Sequence, residues 1–236
     1  MLISIITVVY NGKSTIDTLL ASVRNLKGRI NCEFVVIDGA STDGTYELLK
    51  KNIDIIDVLV SEKDNGIYDA MNKSLRYASG DYCVFMGSDD EIICKNFEIF
   101  VGYLKKNDHI YHGLVQKSES MFGRKTNFWR ILRENIPHQA TFYPRILFKS
   151  RDYNITYPIC ADHEYNIWAF YNGFKYKFVP FVVAKFGEGG CSSISKDHKF
   201  ERDYFKIVKE NAGIIMVFII GFGKILKRAF TSKFSN

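Results

Sequence analysis

Phe34-Val35-Val36-Ile37-Asp38-Gly39-Ala40-Ser41-Thr42-Asp43-Gly44-Thr45 is the stretch that decides the fold. Its four leading apolar residues, mostly β-branched, read as a buried strand closed by Asp38-Gly39. Ser41-Thr42-Asp43 then offers the short oxygen-bearing side chains that cap a helix N-terminus, and Tyr46, Leu48 and Leu49 follow. The same strand, polar turn and helix recur on either side. Upstream, Leu2–Val9 is a strand ending at Asn11-Gly12, and Ile16, Leu19, Leu20, Val23 and Leu26 fall at helical spacing. Downstream, Val58–Val60 is a third strand, Ile67–Ala78 a helix stopped by Ser79-Gly80, and Tyr82–Met86 a fourth strand ending at Gly87-Ser88-Asp89-Asp90. Strands alternating with helices predict an α/β fold with a mostly parallel central sheet and helices on both faces.

The second half is less regular. The pattern predicts helices over 96–104, 161–171 and 197–211, strands over 109–115 and 176–186, and a loop-rich, basic and aromatic insertion over 117–136. With 236 residues, 47% apolar and 25% charged, the chain is long enough for one large domain or two small ones, and its balance excludes a disordered, collagen-like or coiled-coil chain. Charge is lopsided: residues 1–100 carry 10 basic and 15 acidic residues, and the remainder 22 and 11. A basic half suggests an anionic partner, whether nucleic acid, a phosphorylated substrate or a membrane surface. Five cysteines, at 32, 83, 94, 160 and 191, form no C-x-x-C pair, so neither a disulfide framework nor a zinc ribbon is expected. Cys32 and Cys83 read as buried, a reducing cytoplasmic compartment is expected, and no signal-peptide pattern opens the sequence.

In open α/β sheets, ligands bind outside the carboxyl ends of the strands. Those ends carry Val9-Tyr10-Asn11, Asp38-Gly39, Ser61-Glu62-Lys63-Asp64 and Ser88-Asp89-Asp90, so polar and acidic groups converge on one edge. Two phosphate motifs fail. Gly12-Lys13-Ser14 imitates a P-loop tail, but Thr7 stands where the first glycine belongs, and no G-x-G-x-x-G follows the first strand. Adjacent Asp89 and Asp90 repel unless a cation neutralises them, and hard carboxylate oxygens suit Mg²⁺ or Mn²⁺. The alternative is a helix N-cap for a segment beginning near Ile92.

These segments together resemble family-two glycosyltransferases with the GT-A fold. The resemblance rests on Thr7-Val8-Val9-Tyr10-Asn11, Val36 to Thr45, Glu62-Lys63-Asp64-Asn65-Gly66-Ile67-Tyr68-Asp69-Ala70-Met71-Asn72-Lys73 and Gly87-Ser88-Asp89-Asp90, in order over the first 90 residues. Pro137-His138-Gln139-Ala140, Ala161-Asp162-His163-Glu164 and Gly189-Gly190-Cys191-Ser192 match more loosely. The nearest likeness is to bacterial enzymes that build O-antigen, capsule or colanic-acid repeat units. The resemblance implies a catalytic domain over 1–210, with a nucleotide-sugar half over 1–90 and an acceptor half over 91–210. It implies an inverting transfer from a nucleotide-diphosphate sugar, a UDP-sugar above all, to a glycan or polyprenyl-diphosphate-linked acceptor, and no nucleic-acid partner.

The implied roles follow residue by residue. Thr7, Val9, Tyr10 and Asn11 line the nucleotide pocket, with Tyr10 beside the base. Asp38 accepts from uracil N3–H, Asp89 holds the ribose, and Asp90 coordinates Mn²⁺ or Mg²⁺ between the phosphates. Glu62, Asp69 and Lys73 lie in the third segment; Lys73 is four residues beyond Asp69, so an ion pair between them is the alternative to a nucleotide contact. Asp162 matches the base that takes the acceptor proton. Because Ala161 stands where many members carry Glu, Glu164 remains the alternative base. His163 reads as local packing, and His138 and Gln139 contact donor sugar or acceptor, or serve structure.

Residues 212–223 are an apolar run too short to span a bilayer, followed by Lys224, Lys227, Arg228 and Lys233. Apolar then basic reads as a segment lying on an anionic membrane, peripheral at the inner face, or as a terminal helix packed on the domain or a second subunit. Two further functions compete: a sugar nucleotidyltransferase, which lacks its glycine-rich basic loop here, and a nucleic-acid module built on the aromatic and basic stretch 121–151.

Overall fold

The computed structural model describes residues 1–105, 109–187 and 196–221. Its centre is β1 (Ile3–Val9), whose alternating side chains enter two different apolar layers: Ile3, Ile5 and Val9 one, Ile6 the other. β2 (Cys32–Asp38) and β4 (Tyr82–Met86) pair with β1 on either side, both parallel, and β3 (Val58–Ser61) extends the sheet beyond β2. Register sets Val9 opposite Asp38, and Asp38 opposite Ser61. The strands therefore end together, which places the turns after them at one edge.

Helix α1 (Ile16–Leu26) covers the first layer, while α2 (Thr45–Lys51) and α3 (Ile67–Ser74) complete the strand–helix repeats. Beyond β4 come β5 (Glu91–Ile92), α4 (Cys94–Val101), β6 (His109–Lys117), β7 (Ser120–Phe122), α5 (Phe128–Arg133), β8 (Thr141–Pro144), α6 (Ala161–Tyr171), β9 (Lys175–Lys185) and α7 (His198–Ala212). The sheet order is β3-β2-β1-β4-β8-β6-β9-β5, with β7 paired to β6. It is parallel through its first four strands, as the sequence predicts, and becomes mixed where β8 inserts antiparallel between β4 and β6. Phe142 of β8 stacks on Phe100 with ring centroids 4.6 Å apart, locking this insertion into the first layer.

Two expectations are refined. Residues 117–136, expected to be loop-rich, also hold β7 and α5, and Asn127 caps α5 by accepting from Trp129 N at 3.0 Å and Arg130 N at 2.9 Å. Cys32 is only half-buried, whereas Cys83 is fully buried and its thiol is pushed up to about 12 by that burial. After α7, residues 214–221 are helical. Met216, Val217 and Ile220 pack on the second layer, and Ile214, Ile215, Phe218 and Ile219 are exposed. Among the described residues no helix is long and apolar enough to cross a membrane. The basic residues at 224, 227, 228 and 233, and the Gly189–Ser192 segment, lie outside the described residues.

At the opposite edge from the strand ends, Glu33 clamps β1, β2 and the turn before β4. It accepts from Ser4 Oγ at 2.5 Å, Ser79 N at 2.6 Å, Ser79 Oγ at 2.7 Å and Gly80 N at 3.0 Å. Burial pushes its carboxyl up, but the four donors outweigh burial and hold it below its ordinary value of 4.5. A lowered folded-state value means the clamp stabilises fully above pH 4.5 and fades as pH falls through the folded value. Glu33→Gln is therefore expected to lower the denaturation midpoint at pH 7 and to converge with the parent chain in acid, as urea melts between pH 3 and 7 would record.

Candidate active site

The first two turns are stitched together by side chains. Asn11 donates its N–H to Ser41 Oγ at 2.8 Å and accepts from Thr42 N at 2.9 Å, and Asp43 accepts from Lys13 N at 3.0 Å. Asn11 (φ 51) and Ala40 (φ 63) both occupy the left-handed region, which costs a non-glycine residue about 1 kcal/mol. Those bends let Asp38, fully buried, accept from Ser41 N at 3.2 Å and from Ser61 Oγ at 2.5 Å. Asp38 thus ties the turn after β2 to the end of β3. Tyr10 stands 64% exposed on the rim, so its ring is open to stack on a planar ligand. Thr7 and Val9, the other two residues assigned to this pocket, are both buried, Val9 in the first core layer.

Gly39 is hemmed in. A Cβ there would come within 2.5 Å of Asp64 Oδ2 and 3.5 Å of Tyr10 Cβ. Asp64, which closes the quoted third strand end but has no role among the sequence assignments, therefore lies beside Gly39 on the same side as Tyr10. Around it, Lys73 Nζ pairs with Glu62 at 3.3 Å and Asp69 at 3.4 Å and donates to Lys63 O at 2.7 Å. The ion-pair alternative thus describes Lys73 in this structure, with Glu62 as a second partner. Asp69 also accepts from Asn65 N at 2.9 Å, fixing the turn that enters α3.

Asp89 and Asp90 do not cap a helix: α4 starts at Cys94, with Ile93 at its cap position. Asp90 is buried and accepts from Gly87 N at 2.6 Å, Gly187 N at 2.9 Å and Gln139 Nε2 at 3.5 Å. Burial pushes its carboxyl up, against the pull of the Gly187 N–H and of His138. Among the described residues no lysine or arginine lies within ion-pair distance of Asp90. A buried carboxylate lacking a cationic partner suits a bound cation, and its hard oxygens suit Mg²⁺ or Mn²⁺. Asp89 is half-buried beside it, and a Cβ on Gly187 would collide with its carboxylate, so only glycine fits there. No group of three or more His, Cys, Asp or Glu clusters among the described residues. A metal here would complete its shell with ligand and water oxygens.

Asp162 lies in the first turn of α6 and is buried. Its carboxylate accepts from Tyr68 OH at 2.8 Å, Asn135 Nδ2 at 2.7 Å and its neighbour His163 N at 2.8 Å, with His138 Nδ1 at 3.6 Å. Burial pushes the carboxyl up, but His138 and the Tyr68 hydroxyl outweigh it and hold Asp162 below the ordinary value. Reciprocally, burial pulls His138 down while Asp162, Asp90 and Asp89 raise it above its ordinary value. His138 thus feels both carboxylate groups, and Gln139 beside it touches Asp90. Tyr68 and Asn135 were missed from sequence because their role is visible only once α3, α5 and α6 meet. Glu164 points elsewhere, paired with Arg151 at 2.6 Å, and His163 is packed with Nε2 2.9 Å from Ile131 O.

A family model for glycosyl transferase family 2 matches residues 4–233. This chain belongs to that family. A PGL/p-HBAD biosynthesis glycosyltransferase of Mycobacterium bovis is 30% identical over 84% of this chain and 82% of its own length. The Escherichia coli UDP-Glc:alpha-D-GlcNAc-diphosphoundecaprenol beta-1,3-glucosyltransferase WfgD is 34% identical over 45% of this chain and 42% of its own. Among solved structures, S. aureus TarS 1–349 in complex with UDP-GlcNAc superposes with a TM-score of 0.69 at 18% identity over 90% of this chain and 66% of that one. The mannosyltransferase PcManGT of Pyrobaculum calidifontis, with GDP-Man and Mn²⁺, gives 0.65 at 20% identity, over 81% of this chain and 58% of that one. These structural neighbours share the GT-A-type fold, and the chain spans about two thirds or less of their lengths. Family 2 membership makes the protein a glycosyltransferase and sets aside the nucleotidyltransferase and nucleic-acid readings.

In this family 2 chain, Glu164 is a structural group: it is buried, burial raises its carboxyl, and Arg151 opposes that rise. Glu164→Gln leaves a guanidinium that is 27% exposed without its partner. A loss of about 2–3 kcal/mol is expected, the lower end reflecting that exposure. Chemical denaturation measures it, and nucleotide-induced stabilisation of the folded fraction is expected to persist.

Proposed function

We propose that this glycosyltransferase moves a sugar, with inversion, from a UDP-sugar to a hydroxyl of a glycan or polyprenyl-diphosphate-linked acceptor in bacterial surface polysaccharide synthesis. The observation that carries the reading is the convergence on one sheet edge of the Asp89-Asp90 pair and the ionised, buried Asp162, with His138 and Gln139 between them. Tyr10 stacks on the base, Asp38 and Asp64 border its polar edge, and Asp89 holds the ribose. Asp90 would hold Mn²⁺ or Mg²⁺, which supplies positive charge to the departing diphosphate. Asp162 takes the proton of the acceptor hydroxyl as that oxygen bonds to the anomeric carbon, while the bond from that carbon to the diphosphate oxygen breaks and UDP leaves. Tyr68 and Asn135 hold the carboxylate in place by its other lone pairs. Support for a UDP donor and a lipid-diphosphate acceptor comes from what WfgD is named for and from the UDP-GlcNAc in the TarS complex; PcManGT, with GDP-Man, is why other nucleotides belong in the test.

The same reading places the protein at the cytoplasmic face of the inner membrane. Ile214, Ile215, Phe218 and Ile219 present an exposed apolar face, and a basic segment follows in sequence. Ile215→Ser with Phe218→Ser is expected to reduce co-flotation with anionic liposomes; unchanged flotation removes this role.

The central experiment is a thermal-shift screen with UDP, dTDP, GDP and CMP, each with and without Mn²⁺. A ligand at a hundredfold excess over its Kd stabilises by about 2.7 kcal/mol. UDP with Mn²⁺ is expected to give the largest shift, Asp90→Ala to lose the metal-dependent part, and Asp162→Asn to keep the shift while abolishing transfer. Full turnover by Asp162→Asn would remove the base assignment.

A further inference from the structure

Asn166 stands one turn beyond Asp162 on α6, at the i+4 spacing that puts both side chains on one face. It is fully buried, between Tyr165 and Ile167 of the second layer. An amide there costs free energy unless it is hydrogen-bonded, and asparagine is a poor helix former, so an apolar residue would serve packing better. The side chain is instead used at both ends. Oδ1 accepts from Tyr143 OH of β8 at 3.0 Å, and Nδ2 donates to Asn135 Oδ1 at 2.9 Å. Tyr176 OH of β9, which donates to the Asn166 backbone O at 3.0 Å, stands 3.3 Å from the same Oδ1.

Asn135 passes this order on. Ile136 N, at 2.9 Å, and Asn166 Nδ2 hold its Oδ1, which leaves its Nδ2 to donate to Asp162 Oδ2 at 2.7 Å. A reversed Asn135 amide would set oxygen against oxygen at Asp162 and donor against donor at Ile136 and Asn166. Asn135 is itself exposed, so packing does not fix its rotamer, whereas Asn166 and Tyr143 are fully enclosed. Two other donors are committed to Asp162 Oδ1. They are the His163 N–H, at 2.8 Å, and Tyr68 OH, whose one proton is divided between Oδ1 and Ile159 O, both at 2.8 Å. His138 Nδ1, 3.6 Å from Oδ2, is beyond hydrogen-bond distance. Among the described residues, Asn135 is thus the hydrogen-bond donor to Oδ2. A carboxylate oxygen has two lone pairs, so Oδ2 keeps one for an incoming hydroxyl, and Asn135 sets its direction.

Resting on the reading of Asp162 as the base, we propose that Asn166 is a positioning residue: with Tyr143 behind it, it locks the Asn135 amide so that Asp162 Oδ2 presents its second lone pair to the acceptor hydroxyl. The donors run one way, Tyr143 to Asn166 to Asn135 to Asp162, and each bond polarises the next. The base is thereby oriented from the core, by β8 and α6, and not by the exposed segment that carries Asn135.

The test follows the Asp162 carboxyl directly. With aspartate labelled with ¹³C at Cγ, the Asp162 signal is the one lost in Asp162→Asn, and its chemical shift reads the titration. The titratable groups facing it are Tyr68 from α3, His138 before β8, Tyr143 of β8, Tyr153, and Cys160 and His163 at the start of α6. All are common to the parent chain and Asn166→Leu. A hydrogen bond to the ionised form favours that form, so loss of the Asn135 donor raises the midpoint. Asn166→Leu is expected to raise it by about one pH unit, the worth of one hydrogen bond to a charged group. Asn135→Ala should match that rise, and the two substitutions together should add nothing further. Tyr143→Phe should raise it by less, and it serves if Asn166→Leu does not fold. Tyr165→Phe removes another buried hydroxyl of the same layer, bonded to Arg151 O at 3.0 Å, and should leave the midpoint in place. The UDP-induced thermal shift should persist in Asn166→Leu. An unmoved midpoint in folded Asn166→Leu, or failing that in Tyr143→Phe, overturns the positioning role. So does an equal rise in Tyr165→Phe, a further rise when Asn166→Leu is added to Asn135→Ala, or loss of the UDP shift in Asn166→Leu alone. Full turnover by Asp162→Asn removes the base reading, and the positioning role with it, and the titration tells that failure from a failure of the Asn166 link.

Discussion

The Asp90 carboxylate is the buried knot on which the site depends. Its two oxygens take N–H groups from Gly87, after β4, and Gly187, after β9, and Gln139 approaches from the short turn before β8. Those segments lie far apart in the chain, and they close around one carboxylate because a buried charge must be met by donors. The donors do not cancel its charge, and burial keeps its carboxyl raised. In the proposed reaction a divalent cation held at Asp90, beside Asp89, would offset this negative charge and meet that of the diphosphate.

Asp162 solves the opposite problem. It is equally buried, but Tyr68, Asn135 and the His163 amide donate to it and His138 adds positive character, so it stays ionised. Two carboxylate sites on one edge are thereby driven in opposite directions by their surroundings, with His138 responding to both. These opposed surroundings are what the roles proposed for Asp90 and Asp162 draw on. The cost is carried elsewhere, by left-handed Asn11 and Ala40 and by a glycine at 187 that no larger residue could replace.

Strand ends and their acids were legible in the sequence because parallel β-strands flanked by helices declare themselves through short β-branched runs and polar turns, as around Asp38 and Asp89-Asp90. The second half was legible only in part. Asn127 and the apolar positions Ile131 and Leu132 signal a helix that the density of Arg, Lys and aromatic residues masked. β8 is four residues long and ends in proline, too short to show periodicity, and it exists because Phe142 has a pocket against Phe97 and Phe100.

The sequence by itself determined the alternating α/β core, the edge where chemistry gathers, and the residue types there, since these follow from local periodicity and from spacing within single segments. Tertiary structure alone decided which acids work together. Lys73 became an internal partner of Glu62 and Asp69, and Glu164 became the partner of Arg151. It also brought Tyr68 and Asn135 to Asp162, and Gly187 to Asp90. Such pairings join residues up to 97 positions apart, and no local pattern encodes them, because they arise from how helices and strands pack rather than from how each one forms.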